Sequence, residues 1–313
     1  MREKILNLLE KGDFISGEYI AKTLGISRTS VWKHIKLLEK LGYKIEPVKN
    51  KGYQLILRPD KPIPEEINLD TKVIGSKIIY FEKALSTNEI AKKLIEKKEK
   101  EGTVVVSEIQ IKGRGRKNRT WSSPKKGLWF SIILYPKIPP ERGMLITMIF
   151  SVAITQAIQE VTGIKCLIKW PNDLLIDGKK VCGILTELDA EIDQINHAVV
   201  GIGINVNNKI ESNLKDVAIS LKEKIDDDVS RVKLMKSILK KLDKNYQNIL
   251  DKKYEYIRKK WFLYSNIIGK KVKVKQEKNI LNGVIRDIDS SGCLILYTKK
   301  DKVRIVSGDI EYL

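Results

Sequence analysis

Cysteine is scarce in this chain of 313 residues, which carries three. Cys166, Cys182 and Cys293 stand far apart, none with a partner at metal-ligand spacing. A disulfide framework and a thiolate zinc site are therefore excluded, and the thiols read as small buried hydrophobes. Long apolar runs are missing as well. The longest, residues 144–154, is interrupted by Thr147 and Ser151 and falls short of the ~20 residues that span a bilayer, so no membrane segment is expected. The opening Met1-Arg2-Glu3-Lys4 and the amphipathic, partly acidic stretch after it fit neither a secretory signal nor a transit peptide, and the expectation is a cytoplasmic protein. A Walker A pattern and a complete Gly-x-Gly-x-x-Gly are absent, so any nucleotide site must be of another kind.

What is present is a globular composition, 42% hydrophobic and 31% charged, with length enough for two to three domains and a well-buried core. A formal charge of +20, from 59 Lys and Arg against 39 Asp and Glu, favours polyanionic partners, because cations that neutralise phosphates release counterions. Lysine is spread through every segment, so an organism-wide bias accounts for much of the excess, with only a mild enrichment in residues 1–58.

Apolar residues Ile5, Leu6, Leu8 and Leu9 share one face of a first helix that Gly12 would stop. Ser16 caps a second helix ending at Gly25, and Ser27 caps a third ending at Gly42, with Val31, Ile35, Leu38 and Leu41 inward. Residues 43–57 read as two strands joined by a basic tip, Lys49-Asn50-Lys51-Gly52. This is a winged helix-turn-helix over residues 1–58, with Ser27, Arg28, Thr29, Ser30, Lys33 and His34 as the outward set of a recognition helix. Any small three-helix bundle could show those residues; turn length, cap and basic wing together favour DNA binding.

Three prolines mark a linker at residues 59–66. Strands and helices then alternate: strands over residues 73–81, 103–108 and 128–135, a helix from Thr87, and an apolar helix over 141–162. Strands near 164–169, 174–176, 180–188 and 198–206 follow, with a hairpin at Asp177-Gly178. A single helix is expected from Val229 to Trp261. Residues 267–313 read as a small β-barrel with turns at Asn282-Gly283, Ser291-Gly292 and Gly308. The domains expected are thus 1–58, 67–266 and 267–313.

Three stretches carry chemistry. Gly113-Arg114-Gly115-Arg116-Lys117-Asn118-Arg119 combines close backbone approach with arginine forks for a carboxylate or phosphate, although such loops also occur as disordered RNA-binding tracts. Lys169-Trp170-Pro171-Asn172-Asp173 gathers a lysine, an amide and a carboxylate at a strand end. Ten residues on, Lys180 sits among the buried-looking Val181, Cys182 and Ile184, and an ammonium in a site closed to water stabilises anionic oxygens strongly. Gly201-Ile202-Gly203 leaves room for a ligand or for tight strand packing. Ser86 and Glu89 also make a Ser-x-x-Glu capping box.

In order and spacing, Ser86-Thr87-Asn88, the 113–116 loop flanked by Gln110 and Trp121, Lys169 to Asp173, residues 178–187 and residues 201–205 resemble the motifs of biotin protein ligases. With the winged helix in front, the chain is similar over nearly its whole length to the bifunctional bacterial biotin protein ligases that also act as biotin operon repressors. The resemblance implies an α+β fold: a winged helix-turn-helix, a mixed-sheet catalytic domain similar to class II aminoacyl-tRNA synthetases, and an SH3-like C-terminal barrel. It implies biotin and MgATP as substrates, biotinyl-5′-AMP as intermediate, and transfer to a lysine of a carboxylase's biotin carrier domain, with no prosthetic group. Ser86, Thr87, Asn88, Gln110, Arg114, Gly115, Arg116, Lys180 and Gly183 would hold biotin, its apolar part against Trp129. Trp121, Asn172 and Asn205 would hold the adenylate. Lys180, Arg116, Lys169 and Asp173 would be catalytic, Asp173 also a candidate magnesium ligand. Operator DNA and a homodimer favoured by biotinyl-AMP complete the implied partners. Where the family loop usually has a glycine this chain has Asn118, the next best residue for a left-handed backbone. A ligase without repression, a sensing regulator without turnover and a lipoate ligase are the competing readings; the retained lysines, the arginine loop and the winged helix favour the bifunctional one.

Overall fold

Serine caps and left-handed glycines lay out the first of two units, Met1–Lys61, in the computed structural model of the chain, which describes residues 1–10, 14–276 and 279–313. Helix α1 covers Arg2–Leu9, α2 Gly17–Leu24 and α3 Arg28–Leu41. The expected stop at Gly12 lies outside the described residues. Ser16 Oγ accepts from the Tyr19 amide at 3.0 Å and Ser27 Oγ from the Ser30 amide at 3.1 Å. Gly25 and Gly42 close α2 and α3 in the left-handed region that glycine enters without strain. Ile5, Leu6, Leu9, Ile20, Val31, Ile35 and Leu38 form the core. Strands β1 (Lys44–Val48) and β2 (Gly52–Leu57) pair as the antiparallel wing. Gly52 cannot be replaced, because a Cβ there would meet the Ile15 carbonyl at 2.2 Å.

The second unit, Pro62–Leu313, is built on a seven-stranded sheet ordered β3-β4-β5-β9-β8-β7-β6. Its strands are β3 (Lys77–Phe81), β4 (Thr103–Ser107), β5 (Leu128–Leu134), β6 (Leu167–Lys169), β7 (Asp173–Ile176), β8 (Lys179–Ala190) and β9 (Ile195–Ile204). Only β3 and β4 pair in parallel. Alternation sorts the side chains: Val104, Val106, Phe130, Ile132, Val200 and Ile202 join the large core under helix α5 (Met144–Thr162), while Val105, Ile133 and Val199 pack with Ala91 of helix α4 (Thr87–Glu96) on the other face. By length and composition residues 140–162 suffice to cross a membrane, which the short apolar run did not suggest. Here the helix is buried: Thr147 bonds Thr186 at 2.8 Å and Ser151 donates to the Met148 carbonyl at 2.8 Å, while the Thr155 hydroxyl has no hydrogen-bond partner among the described residues.

Three expectations need correction. The helix expected over residues 229–261 is two, α7 (Arg231–Leu250) and α8 (Tyr254–Ser265), after a short α6 (Leu221–Ile225); the chain breaks at Lys252, in the left-handed region at φ 56°. The strand expected from residue 73 begins at Lys77, because Asp243 of α7 accepts the amides of Lys72, Val73 and Ile74 at 2.8–2.9 Å and bends the chain before it. Asn282-Gly283 is not a turn but lies inside a strand, where Gly283 makes room for the Tyr297 carbonyl, 2.5 Å from a would-be Cβ. The C-terminal strands β10 (Lys271–Lys275), β11 (Ile280–Ile288), β12 (Leu294–Tyr297), β13 (Lys302–Ile305) and β14 (Asp309–Tyr312) form an antiparallel sheet ordered β13-β12-β11-β10-β14. Its buried Val272, Val274, Ile285, Leu294 and Leu296 belong to the same core as α5. All three cysteines are buried and free, as expected; burial pushes the Cys166 thiol up to about 12.

Candidate active site

One row of residues crosses the sheet. Pairing sets Lys169 beside Asp173, Asp173 beside Gly183, Gly183 beside Gly203 and Gly203 beside Trp129. Two glycines at its centre leave a trough on the α4 side of the sheet, beside that helix and on the face opposite α5. Trp121 fills part of it: a Cβ on Gly203 would lie 2.3 Å from Trp121 Nε1, and one on Gly183 2.9 Å from the Trp121 ring. Gly201, the other glycine of β9, accommodates Asn88, whose Oδ1 would be 2.2 Å from a Cβ. Both β9 glycines thus make room for side chains of the site.

Lys180 reaches this face through a bulge. Leu174 pairs with Cys182 but Leu175 with Lys180, so Val181 is an extra residue, and such a residue re-aims its neighbour. Lys180 then points where Gly183 does, its Nζ 3.2 Å from a Cβ built there. Asp173 Oδ1 holds that ammonium at 2.6 Å, and the Trp121 ring centroid lies 5.0 Å away. Trp121 Nε1 is buried without a hydrogen-bond partner among the described residues, an unspent donor at the trough floor.

The loop between β4 and β5 covers the trough. Gly113 lies against the Trp121 carbonyl, 2.3 Å from a would-be Cβ. Lys117 and Asn118 are both left-handed, at φ 55° and 56°, so Asn118 takes the backbone expected of it. Arg116 donates to Asn172 Oδ1 at 3.0 Å, and Asn172 Nδ2 donates to the Ile184 carbonyl at 2.8 Å. Burial pulls the Arg116 guanidinium below its ordinary range, opposed by Asp309 and Asp173. Arg114 donates to Glu89 at 3.2 Å. Glu89 therefore does not complete a capping box with Ser86, whose side chain makes no cap bond. Gln110 takes that place: its Oε1 accepts from the Thr87 amide at 2.8 Å and its Nε2 donates to Ser123 at 3.0 Å.

The cavity, open to solvent on one side, is about 360 Å³. Ser86, Thr87, Asn88, Gln110, Arg114, Gly115, Arg116, Trp121, Asn172, Asp173, Lys180, Gly183 and Asn205 are all among the residues that line it. Five cationic and three acidic side chains face it, a balance suited to an anionic ligand. Two residues stand elsewhere. Lys169, at the far end of the row, sets its ammonium 5.9 Å from the Tyr312 ring centroid and is outside the lining. Trp129 is fully buried, bonds the Pro124 carbonyl at 2.8 Å, and meets Trp121 edge to face at 6.4 Å; Trp121, not Trp129, is the aromatic wall of the cavity. Glu211 and Asp309 also line it and carried no signal in the sequence, each lying far along the chain from the loop it touches.

In the first unit, Ser27, Arg28, Thr29 and Lys33 of the recognition helix are exposed, while Ser30 and His34 are half-buried. Trp32, 51% exposed, and Lys36 extend the open face beyond the residues picked from sequence.

Profiles of known families match in three places: an HTH domain over residues 1–54, the Biotin/lipoate A/B protein ligase family over residues 80–205, and the Biotin protein ligase C terminal domain over residues 267–312. The bifunctional ligase/repressor BirA of Bacillus subtilis (strain 168) is 40% identical over 99% of this chain and 98% of its own length; that of Escherichia coli (strain K12) is 28% identical over 94% and 91%. Among solved structures, the biotin protein ligase from Aquifex aeolicus in complex with biotin and ATP superposes with a TM-score of 0.67, at 30% identity, covering 76% of this chain and 99% of that one. With full-length identity of this order, and a site in which the ligase motifs converge on one cavity, the chain belongs to the family of bifunctional biotin protein ligase/repressors.

Proposed function

We propose that this chain joins biotin to ATP as biotinyl-5′-AMP with release of pyrophosphate, passes the biotinyl group to a lysine of a carboxylase's biotin carrier domain, and represses biotin genes with biotinyl-AMP as corepressor. The observation that carries this reading is the convergence of Lys180, Arg116, Trp121 and Asn172 on one trough floored by Gly183 and Gly203. In the first step the biotin carboxylate attacks the α-phosphorus, and negative charge gathers on oxygens beside Lys180. Asp173 keeps the Lys180 ammonium oriented in a half-buried site, where it is worth more than in water. In the second step the acceptor amine attacks the acyl carbon, and AMP leaves. Ser86, Thr87, Asn88 and Gln110 would meet the polar ring of biotin, Trp121 would stack on adenine, and Asn172 and Asn205 would bond the nucleotide. Closing the 113–119 loop would keep water from the anhydride. For Lys169 we retain a role toward the outer phosphates, which would require its ammonium to leave Tyr312.

Magnesium would arrive with ATP, since it is commonly held by phosphates and one or two carboxylates. Asp173 is the carboxylate at hand, and among the described residues no cluster of three or more candidate ligands occurs. The wider reading includes a cytoplasmic protein, operator contacts from Ser27, Arg28, Thr29, Ser30, Lys33 and His34, and a homodimer favoured by biotinyl-AMP.

Incubating a purified carrier domain with the protein, biotin and MgATP should add one biotin mass. An unmodified carrier would overturn ligase activity and direct the trial to lipoate. A gel shift of an operator fragment that requires biotin and ATP tests repression; no shift across salt and ligand ranges would leave a ligase alone.

A further inference from the structure

The glycine-arginine loop is fastened at three points, each by a carboxylate. Arg114 bonds Glu89 at the start of α4, and Ser122 donates to Glu211 at 2.5 Å. Between them, Arg116, Lys117 and Arg119 converge on Asp309, the first residue of β14. Arg119 pairs with Asp309 directly, Lys117 lies 3.4 Å from it and Arg116 3.9 Å. Arg116 also points both guanidinium ends at the neighbouring Gly308 carbonyl at 3.5 Å while bonding Asn172.

The C-terminal sheet does not need these contacts to stay in place. It shares the core under α5, and Trp170 donates to the Gly292 carbonyl at 3.2 Å. The loop does need them. Its residues 116–119 are partly or fully exposed, and two of them occupy the left-handed region. Half-exposed pairs add little to global stability, but three cations on one anion select a single loop conformation.

We propose that Asp309 is a positioning residue: from the C-terminal sheet it gathers Arg116, Lys117 and Arg119, sets Arg116 against Asn172, and so holds the loop closed over the cavity and retains the activated acyl intermediate there. The retention half rests on reading the cavity as the adenylate-forming site; the latch itself does not. The three cations hold the Asp309 carboxyl below its ordinary range against the opposing effect of burial.

The loop carries its own reporters, since trypsin cuts after Arg114, Arg116, Lys117 and Arg119. In the full-length, ligand-free protein, Asp309→Asn should raise the rate of cleavage in this loop on the order of tenfold, the combined effect expected of three half-exposed charge contacts, and Asp309→Glu should restore most of the protection. Arg119→Ala, which removes a partner from the exposed loop side, should also speed cleavage at the remaining sites. With biotin and MgATP, release of preformed biotinyl-AMP from Asp309→Asn should accelerate by a similar factor at an unchanged melting temperature. Cleavage and release at the wild-type rate in both Asp309→Asn and Arg119→Ala would overturn the proposal. A wild-type protein that forms no biotinyl-AMP would instead sink the reading of the cavity, leaving the latch to be decided by the cleavage rates, which need no ligand.

Discussion

Lys180 faces the cavity because β8 holds one residue more than its partner strand, and Asp173 then fixes the ammonium at 2.6 Å. Replacing Lys180 by Ala removes the cation that charge develops against, and should slow biotinyl-AMP formation by about a hundredfold or more, ~3 kcal/mol of barrier, in a single-turnover assay. An equally fast variant would keep the ligase and discard this role. Gly203→Ala tests the floor: its Cβ would fall 2.3 Å from Trp121 Nε1, so Trp121 must move. Tryptophan emission should change and ATP affinity fall with the fold intact. Asp309 links the loop to pH. Its folded carboxyl titrates below the ordinary range, so the latch is fully present above ~4, where a free aspartate ionises. It is lost only as pH falls through the lower folded value. Tryptic protection cannot be read so low, and an acid-active protease such as pepsin should find the loop opening below pH ~4 but not at 5. Lys180, Arg116 and Asn172 were legible in sequence because each sits in a short dense motif. Asp309 was not, since it stands 190 residues from Arg119.

At the scale of elements, much of the cap and turn chemistry was read correctly, although the capping box expected at Ser86 and Glu89 does not form. Ser16, Ser27, Gly25 and Gly42 bound α2 and α3, and Asp177 and Gly178 both take positive φ in the β7–β8 turn. Reading failed where a distant group decides. The early start expected of β3 is prevented by Asp243, whose carboxylate spends itself on three amides of the preceding bend. Asp243→Ala would strand those donors, and we expect a loss of ~3 kcal/mol in urea unfolding; an unchanged midpoint would show that water replaces the carboxylate. The break between α7 and α8 has neither glycine nor proline to announce it, and Gly283, a turn signal by type, serves close strand packing instead.

For the whole molecule, one continuous core decides which pieces can stand alone. Ile146, Phe150 and Trp261 share it with Val272, Leu294 and Leu296 of the C-terminal sheet, whereas residues 1–61 have a core of their own. A fragment of residues 62–313 should therefore fold and keep ligase chemistry while losing operator binding, and a fragment ending at residue 266 should be insoluble or lose cooperative unfolding. A well-folded, cooperative 1–266 fragment would contradict the shared core. The order of most elements, the winged helix and the motifs that supply much of the cavity lining were determined by the sequence itself, because caps, turns and motifs act over a few residues. Only tertiary structure decided that Trp121 rather than Trp129 walls the cavity, that Lys169 faces Tyr312, and that a C-terminal carboxylate closes the loop. These depend on which strands become neighbours, and pairing in a sheet joins residues that no local pattern connects.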